Sequence, residues 1–385
     1  RSGAASAGAD GGAGRRRDMT APGSVASVLD GLDRGETAAL ARAISLVENQ
    51  RDGYERVLSH VHERAGRLGE RARRIGITGP PGAGKSTLTQ LLIQQYRGAG
   101  LKVAVVAVDP TSPFSGGALL GDRIRMEAVS LDPGVFIRSM ATRGSLGGLA
   151  TTTEEVCEVL TAFGFERILI ETVGVGQTEL DVARTAETTA LVLVPESGDA
   201  IQTLKAGVME VADIFVVNKA DRPGAERLQR DIEVMLGIRR GTAFRHVSPH
   251  HGPRLQADRR MDRSTDGMSS EPHPPIRPSA DPPRWEPPVL LTVATRGDGV
   301  GELVEALERH RGYLEASGLL GRRRRERLAE RTRAAVNRAL AHWVWEQTAA
   351  ETLLGEALDD MSAGKRSPYE VAAALVDHAR TGATR

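Results

Sequence analysis

The chain has 385 residues, enough to bury one large core or two smaller ones, and its 51 Lys and Arg nearly balance its 50 Asp and Glu. That balance argues against a polyanion-binding chain, so no nucleic acid partner is expected. Cys157 is the only cysteine, which excludes an intramolecular disulfide framework and a cysteine-rich zinc site, and no apolar run reaches the roughly 18 residues that span a bilayer. A soluble, cytoplasmic protein with no membrane partner is the expectation.

Residues 1–23 are rich in Gly, Ala, Ser and Arg without apolar periodicity, and read as a disordered leader. From Val25 to about Arg71 apolar residues recur at steps of three and four, among them Leu29, Leu32, Leu40, Ile44, Val57 and Val61, which predicts an N-terminal helical arm over 24–72. The apolar run Ile75-Gly76-Ile77 then leads into Gly79-Pro80-Pro81-Gly82-Ala83-Gly84-Lys85-Ser86, a complete G-x-x-x-x-G-K-S phosphate-binding loop. Its glycines let backbone N–H groups close around phosphates, Lys85 has the reach for the β- and γ-phosphates, and Ser86 offers a hydroxyl to Mg²⁺. A helical stretch from Ser86, with Thr87 in its first turn, presents its positive end to the anion.

Beyond this loop, apolar runs at Val103 to Val108, Val135 to Ile137, Ile168 to Ile170, Leu191 to Val194, Ile214 to Val217 and Leu290 to Val293 alternate with helical stretches. The alternation predicts an α/β domain over 73–317, a mostly parallel sheet with helices on both faces. Asp109 and Glu171 end two of these strands, and Asp122 lies in Gly121-Asp122-Arg123. Carboxylates at strand C-termini converge on the ligand crevice of such a sheet, which suits a metal-phosphate site. Glu171 opens the segment Glu171-Thr172-Val173-Gly174-Val175-Gly176-Gln177, whose glycines allow an approach to the γ-phosphate; Gln177 either orients water or caps the next helix. Gly198 to Gly207, including Asp199, Gln202 and Lys205, reads as a further mobile stretch.

Asn218-Lys219-Ala220-Asp221 follows the strand Ile214 to Val217 as an N-K-x-D sequence. The Asp221 carboxylate can accept from N1–H and the exocyclic amine of guanine, a donor pair adenine lacks, so GTP or GDP is expected over ATP. Between about 238 and 288 Pro, Arg, Ser, Asp and His dominate without apolar spacing, which predicts a disordered insert. Its His246, His250, His251 and His273 match no standard metal spacing. Residues 318–385 read as a helical arm. Arg322 to Arg325, followed by Glu326 and Glu330, suggest a solvated, salt-bridged face, while Trp343 and Trp345 suggest packing against a partner chain or in an intrachain core, and an apolar face with Trp343 and Val344 suggests a dimer.

Taken together, Gly79 to Thr87, Val108 to Pro113, Gly121 to Met126, Glu171 to Gln177, Gly198-Asp199 with Gln202 and Lys205, and Asn218 to Asp221 resemble the MeaB/ArgK family of P-loop GTPases. These are chaperones of adenosylcobalamin-dependent methylmalonyl-CoA mutase. The resemblance implies a homodimer that binds an adenosylcobalamin-dependent acyl-CoA mutase and gates cofactor loading by Mg²⁺-dependent GTP hydrolysis. It implies phosphate binding by Gly79 to Thr87, with Lys85, Asp109, Glu171 and Gln177 as catalytic residues. It further implies a Mg²⁺ site from Ser86, Asp109, Asp122 and Glu171, guanine reading by Asn218, Lys219 and Asp221, and a partner-facing switch at Gly198 to Lys205. Where many relatives have Ser-Ala for the last base contact, this chain has Thr292-Val293-Ala294-Thr295, so backbone N–H groups of Val293, Ala294 and Thr295 are left to serve guanine O6. A metallochaperone GTPase would want a Cys/His cluster that Cys157 alone cannot supply, and a kinase or transport ATPase is disfavoured by Asp221.

Overall fold

Runs of β-branched residues form seven strands: β1 (Arg73–Thr78), β2 (Val103–Asp109), β3 (Val135–Ala141), β4 (Arg167–Thr172), β5 (Thr188–Leu193), β6 (Ile214–Asn218) and β7 (Val289–Thr292). The computed structural model describes residues 24–109, 129, 131–141, 148–172, 178–195, 208–239 and 284–382. All pairings among the strands are parallel, in the order β3-β2-β4-β1-β5-β6-β7. The α/β class and the seven strand positions read from the sequence are therefore those observed. Every residue of β4, β5 and β6 is buried, because helices cover both faces of the sheet.

Among the described residues the helices are α1 (Val25–Asp33), α2 (Thr37–Glu48), α3 (Tyr54–Leu68), α4 (Lys85–Gly98), α5 (Gly148–Phe163), α6 (Thr178–Thr185), α7 (Val208–Val211), α8 (Ala225–Arg239), α9 (Val300–Ala316), α10 (Leu319–Gln347), α11 (Ala350–Ser362) and α12 (Pro368–Gly382). Alternating residues of β2 divide two cores. Ala104, Val106 and Val108 face Leu40, Ile44 and Val57 of the first three helices together with Val156 and Leu160 of α5. Val103 and Val105 face the other way, toward Leu88, Leu92 and Ile93 of α4, a cluster that includes Leu303 and Leu307 of α9. The N-terminal helices thus share a core with the sheet. The leader 1–23 and most of the Pro-rich insert lie outside the described residues. Among the described residues no helix is long and apolar enough to cross a membrane.

At the C-terminus, Val344 of α10 packs on a small core made by Ala350 and Ala357 of α11 and Val371 and Leu375 of α12. Elsewhere on α10, Leu328, Val336, Leu340 and Trp345 are 43–52% exposed. The arginine run is only partly the solvated face expected. Arg322 pairs with Glu326 one turn on, at the surface, but Arg324 reaches the buried Glu187.

Helix α9 buries His310, whose Nδ1 lies 2.8 Å from Thr188 Oγ1 and whose Nε2 lies 3.3 Å from Asp213 Oδ1, under the Trp285 ring. Burial pushes the Asp213 carboxyl up to about 6 and the imidazole down to about 3. The two have opposite linkage. Unfolded His310 binds a proton below 6.5 that the folded ring refuses until about 3, so its contribution to stability grows as pH rises through that window. Folded Asp213 keeps a proton from 3.8 to about 6 that the unfolded chain has lost, so its contribution shrinks there and offsets the histidine. Substituting His310→Asn should remove one side of this balance, and the Tm difference between wild type and variant should widen as pH is raised from about 4 to about 6.5. A constant difference across that range in thermal melts would show that the imidazole is not held neutral.

Candidate functional site

Strand β1 ends at Thr78, the chain turns through Gly79 to Gly84, and α4 begins at Lys85. Two glycines in this turn are demanded by neighbours from distant parts of the chain. Gly79 has φ of 139° and a Cβ there would stand 2.0 Å from the Val192 carbonyl oxygen of β5; Gly84 has φ of 89° and a Cβ would stand 2.3 Å from Asn218 Nδ2. The buried Lys85 ammonium donates to the carbonyls of Gly79 (2.7 Å) and Pro80 (2.9 Å), fixing the curve of the loop. Ala83 is buried, while Pro81, Gly82 and Thr87 face solvent. No side chain caps α4 at Gly84, which leaves the positive end of the helix directed at the loop's concave side.

Beside this turn, β1 and β4 are paired with Ile77 opposite Glu171, so the carboxylate emerges at the same sheet end as the loop. Ser86 Oγ donates to Glu171 Oε1 at 2.6 Å, and Glu171 is only 4% exposed. A serine hydroxyl and a carboxylate held together are hard oxygen donors of the kind Mg²⁺ takes, one or two from protein and the rest from phosphate and water, so the residues present fit that ion. Asp109 ends β2, where Val108 is opposite Thr172, which brings its backbone to the same sheet end. The side chain of Asp109, and Asp122, Gln177 and the Gly198 to Lys205 segment, lie outside the described residues. Among the described residues no group of three or more His, Cys, Asp or Glu could hold a metal.

The other half of the site is organised by Asn218, the last residue of β6, which is 2% exposed. Its Nδ2 donates to Ala83 O at 2.8 Å, and its Oδ1 accepts from Thr292 Oγ1 and from the Ala294 N–H, both at 3.1 Å. One amide therefore ties the phosphate loop to the segment after β7. Lys219 takes a positive φ of 57° at this corner, Ala220 N–H bonds to Thr292 O, and Asp221 is exposed beyond it. Of the N–H groups expected to face a base, that of Val293 bonds to Asp298 O and that of Ala294 to Asn218; Thr295 is exposed. Thr292 was legible only as a departure from the Ser-Ala pattern. Its hydroxyl supports Asn218 across 74 residues, a contact that no local spacing signals.

The sequence model of one protein family, described as "Methylmalonyl Co-A mutase-associated GTPase MeaB", matches residues 40–349. The chain is similar to a candidate GTPase of Pyrococcus abyssi, 44% identical over 314 residues that make up 82% of this chain and 84% of that one. It is similar to GTPase ArgK of Escherichia coli, 31% identical over 330 residues, 86% of this chain and 85% of ArgK. A third relative is the mitochondrial methylmalonic aciduria type A homolog of Mus musculus, 33% identical over 304 residues, 76% of this chain and 65% of the relative. Among solved structures, an LAO/AO transport system kinase matches with a TM-score of 0.57 at 25% identity, covering 92% of this chain and 96% of that one. A seven-stranded parallel sheet with its phosphate loop after β1, together with a family match over most of the length, leads to one assignment: the chain belongs to the MeaB family of methylmalonyl-CoA mutase-associated GTPases.

Proposed function

We propose that the protein binds and slowly hydrolyses GTP with Mg²⁺ and uses the nucleotide cycle to control cofactor loading of an adenosylcobalamin-dependent acyl-CoA mutase, methylmalonyl-CoA mutase first. The observation that carries the nucleotide reading is the Asn218 amide, which makes one unit of the phosphate loop and the N-K-x-D corner. The mutase reading is supported by the family description and by the name of the mouse relative. Lys85 would exchange a loop carbonyl for a β- or γ-phosphate oxygen, and the uncapped start of α4 would receive the same phosphates. Ser86 and Glu171, with Asp109 and Asp122, would hold Mg²⁺, which neutralises phosphate charge when bound. Asp221 would accept from guanine, and Gln177 is the residue proposed to orient water. No arginine finger is assigned, which is why turnover by the protein alone is expected to be slow.

In this reading, Gly198 to Lys205 meets the mutase, the C-terminal helices form a homodimer, and the compartment is the cytoplasm. The test is GTP turnover with and without added mutase. Turnover should rise on addition, and the affinity for mutase should differ between the GTP-analogue and GDP forms by about 5- to 150-fold, because a ligand without differential affinity shifts nothing. Unchanged turnover with every adenosylcobalamin mutase of the source organism would exclude the chaperone role.

A further inference from the structure

Helix α10 docks on the sheet domain with almost no apolar surface. Of its residues only Leu320 and Arg338 are buried, and no side chain of α10 belongs to the two cores on the sheet faces. Contact is made instead by Arg324, Arg327, Arg331 and Arg338, whose steps of three, four and seven place them along one stripe of the helix. Each meets a carboxylate. Arg324 Nη2 lies 2.6 Å from Glu187 Oε1, Arg327 Nε 3.2 Å from Glu154 Oε1 and Arg338 Nη2 2.7 Å from Glu155 Oε1, while Arg331 pairs with Glu158. All four glutamates are 2–7% exposed. Three sit on α5; Glu187 lies between α6 and β5 and is also held by Arg311 of α9.

Burial raises the carboxyls of Glu154 and Glu155 above their ordinary range while nearby arginines, Arg74 and Arg327 for the first and Arg338 for the second, pull them back, so losing an α10 arginine leaves a buried acid less compensated. A cavity of about 160 Å³, lined by Glu154, Glu158, Glu187, Arg324, Arg327 and Arg331 among others, remains between α3, α5 and α10, so apolar packing does not seal the joint. On separation the charges regain water, whereas an apolar seam would lose its whole driving force. The same helix grips the corner after α6: Arg327 Nη1 donates to Ala186 O at 3.2 Å, and Arg323 Nη1 to Glu187 O at 3.1 Å. The other end of α6 begins at Thr178, six residues after the strand that carries Glu171. Between Glu171 and the seam the chain runs through residues 173–177, which lie outside the described residues, and then through α6.

We propose that α10 is an electrostatic latch, seated on α5 and the α6–β5 corner by Arg324, Arg327, Arg331 and Arg338, and that guanine nucleotide sets its seated fraction through α6. The nucleotide link rests on the GTPase reading above; the latch itself does not. The experiment is hydrogen exchange on the full chain, read by mass spectrometry for residues 319–342, in nucleotide-free, GDP and GTP-analogue forms. Arg331→Glu should raise exchange of α10 by about tenfold or more in the nucleotide-free protein, because a buried carboxylate then faces a like charge. The charge-swapped pair Glu158→Arg with Arg331→Glu should restore protection, and Arg331→Gln gives a milder reading should the reversal fold poorly. In the wild type, exchange of α10 should differ by about fivefold or more between GDP and GTP-analogue forms, with nucleotide binding followed separately by fluorescence.

Wild-type protection in both Arg331 variants would overturn the latch, and so would exchange that rises equally throughout the sheet domain or a swap that fails to rescue. Bound nucleotide with no difference on α10 would overturn the nucleotide link. Failure to bind guanine nucleotide at all would overturn the GTPase reading and the link with it, while the latch stands or falls on the nucleotide-free comparison.

Discussion

Replacing Asn218 with alanine should both destabilise the protein and abolish guanine-nucleotide binding. The substitution strands three buried groups at once: the Ala83 carbonyl, the Ala294 N–H and the Thr292 hydroxyl. An orphaned buried donor or acceptor costs about 1–3 kcal/mol, so a loss of at least about 3 kcal/mol and a visibly lower Tm are expected. Binding suffers separately, because Ala83 belongs to the phosphate loop and Ala294 to the far side of the site, and the Asn218 amide is hydrogen-bonded to both. Asn218→Asp should rescue neither property. It keeps the acceptor for Ala294 and Thr292 but sets a carboxylate oxygen against the Ala83 carbonyl oxygen, where a donor is needed. Thermal melts and fluorescent GDP titration measure both effects, and wild-type affinity in Asn218→Ala would show that the bridge does not organise the site.

Asp221→Asn is expected to change base choice without touching stability. The side chain is exposed and makes no ion pair among the described residues, so its loss should move the Tm little, within about 0.5 kcal/mol of folding free energy. Guanine presents two adjacent donors to the carboxylate, whereas an amide offers a donor and an acceptor. GTP affinity should fall by about 100-fold or more, and xanthosine triphosphate, with a carbonyl in place of the exocyclic amine, should gain. Competition titration with GTP, XTP and ATP decides the matter. Equal affinity of the wild type for ATP and GTP would contradict the guanine reading and revive a kinase or transport ATPase. The two variants together separate support from recognition, since only the first should change the melt.

Part of the site could be read one segment at a time. Lys85 and Ser86 stand next to the glycines they work with, and Glu171 was placed by ending an apolar run, so strand periodicity alone sent it to the right edge of the sheet. The partnership of Ser86 with Glu171 then followed from parallel register, which puts Ile77 opposite Glu171. The role of Thr292 did not follow, because threonine is an ordinary strand residue and its hydroxyl acquires meaning only when Asn218 is opposite it.

By itself the sequence determined the phosphate loop, the alternation that makes a parallel sheet, the acidic strand ends and the family, because each is written in neighbouring residues or in a fixed period. Only the tertiary structure decided why Gly84 must be glycine, since the atom that excludes a Cβ belongs to Asn218, 134 positions away. It likewise decided that Arg324, Arg327, Arg331 and Arg338 face buried carboxylates rather than water, although a run of arginines on a helix has the same local pattern in either setting. His310 and Asp213, 97 positions apart, make the same point. Periodicity records which face of an element is apolar, but the charge of a buried partner is a property of the other element, and chain spacing carries no trace of it.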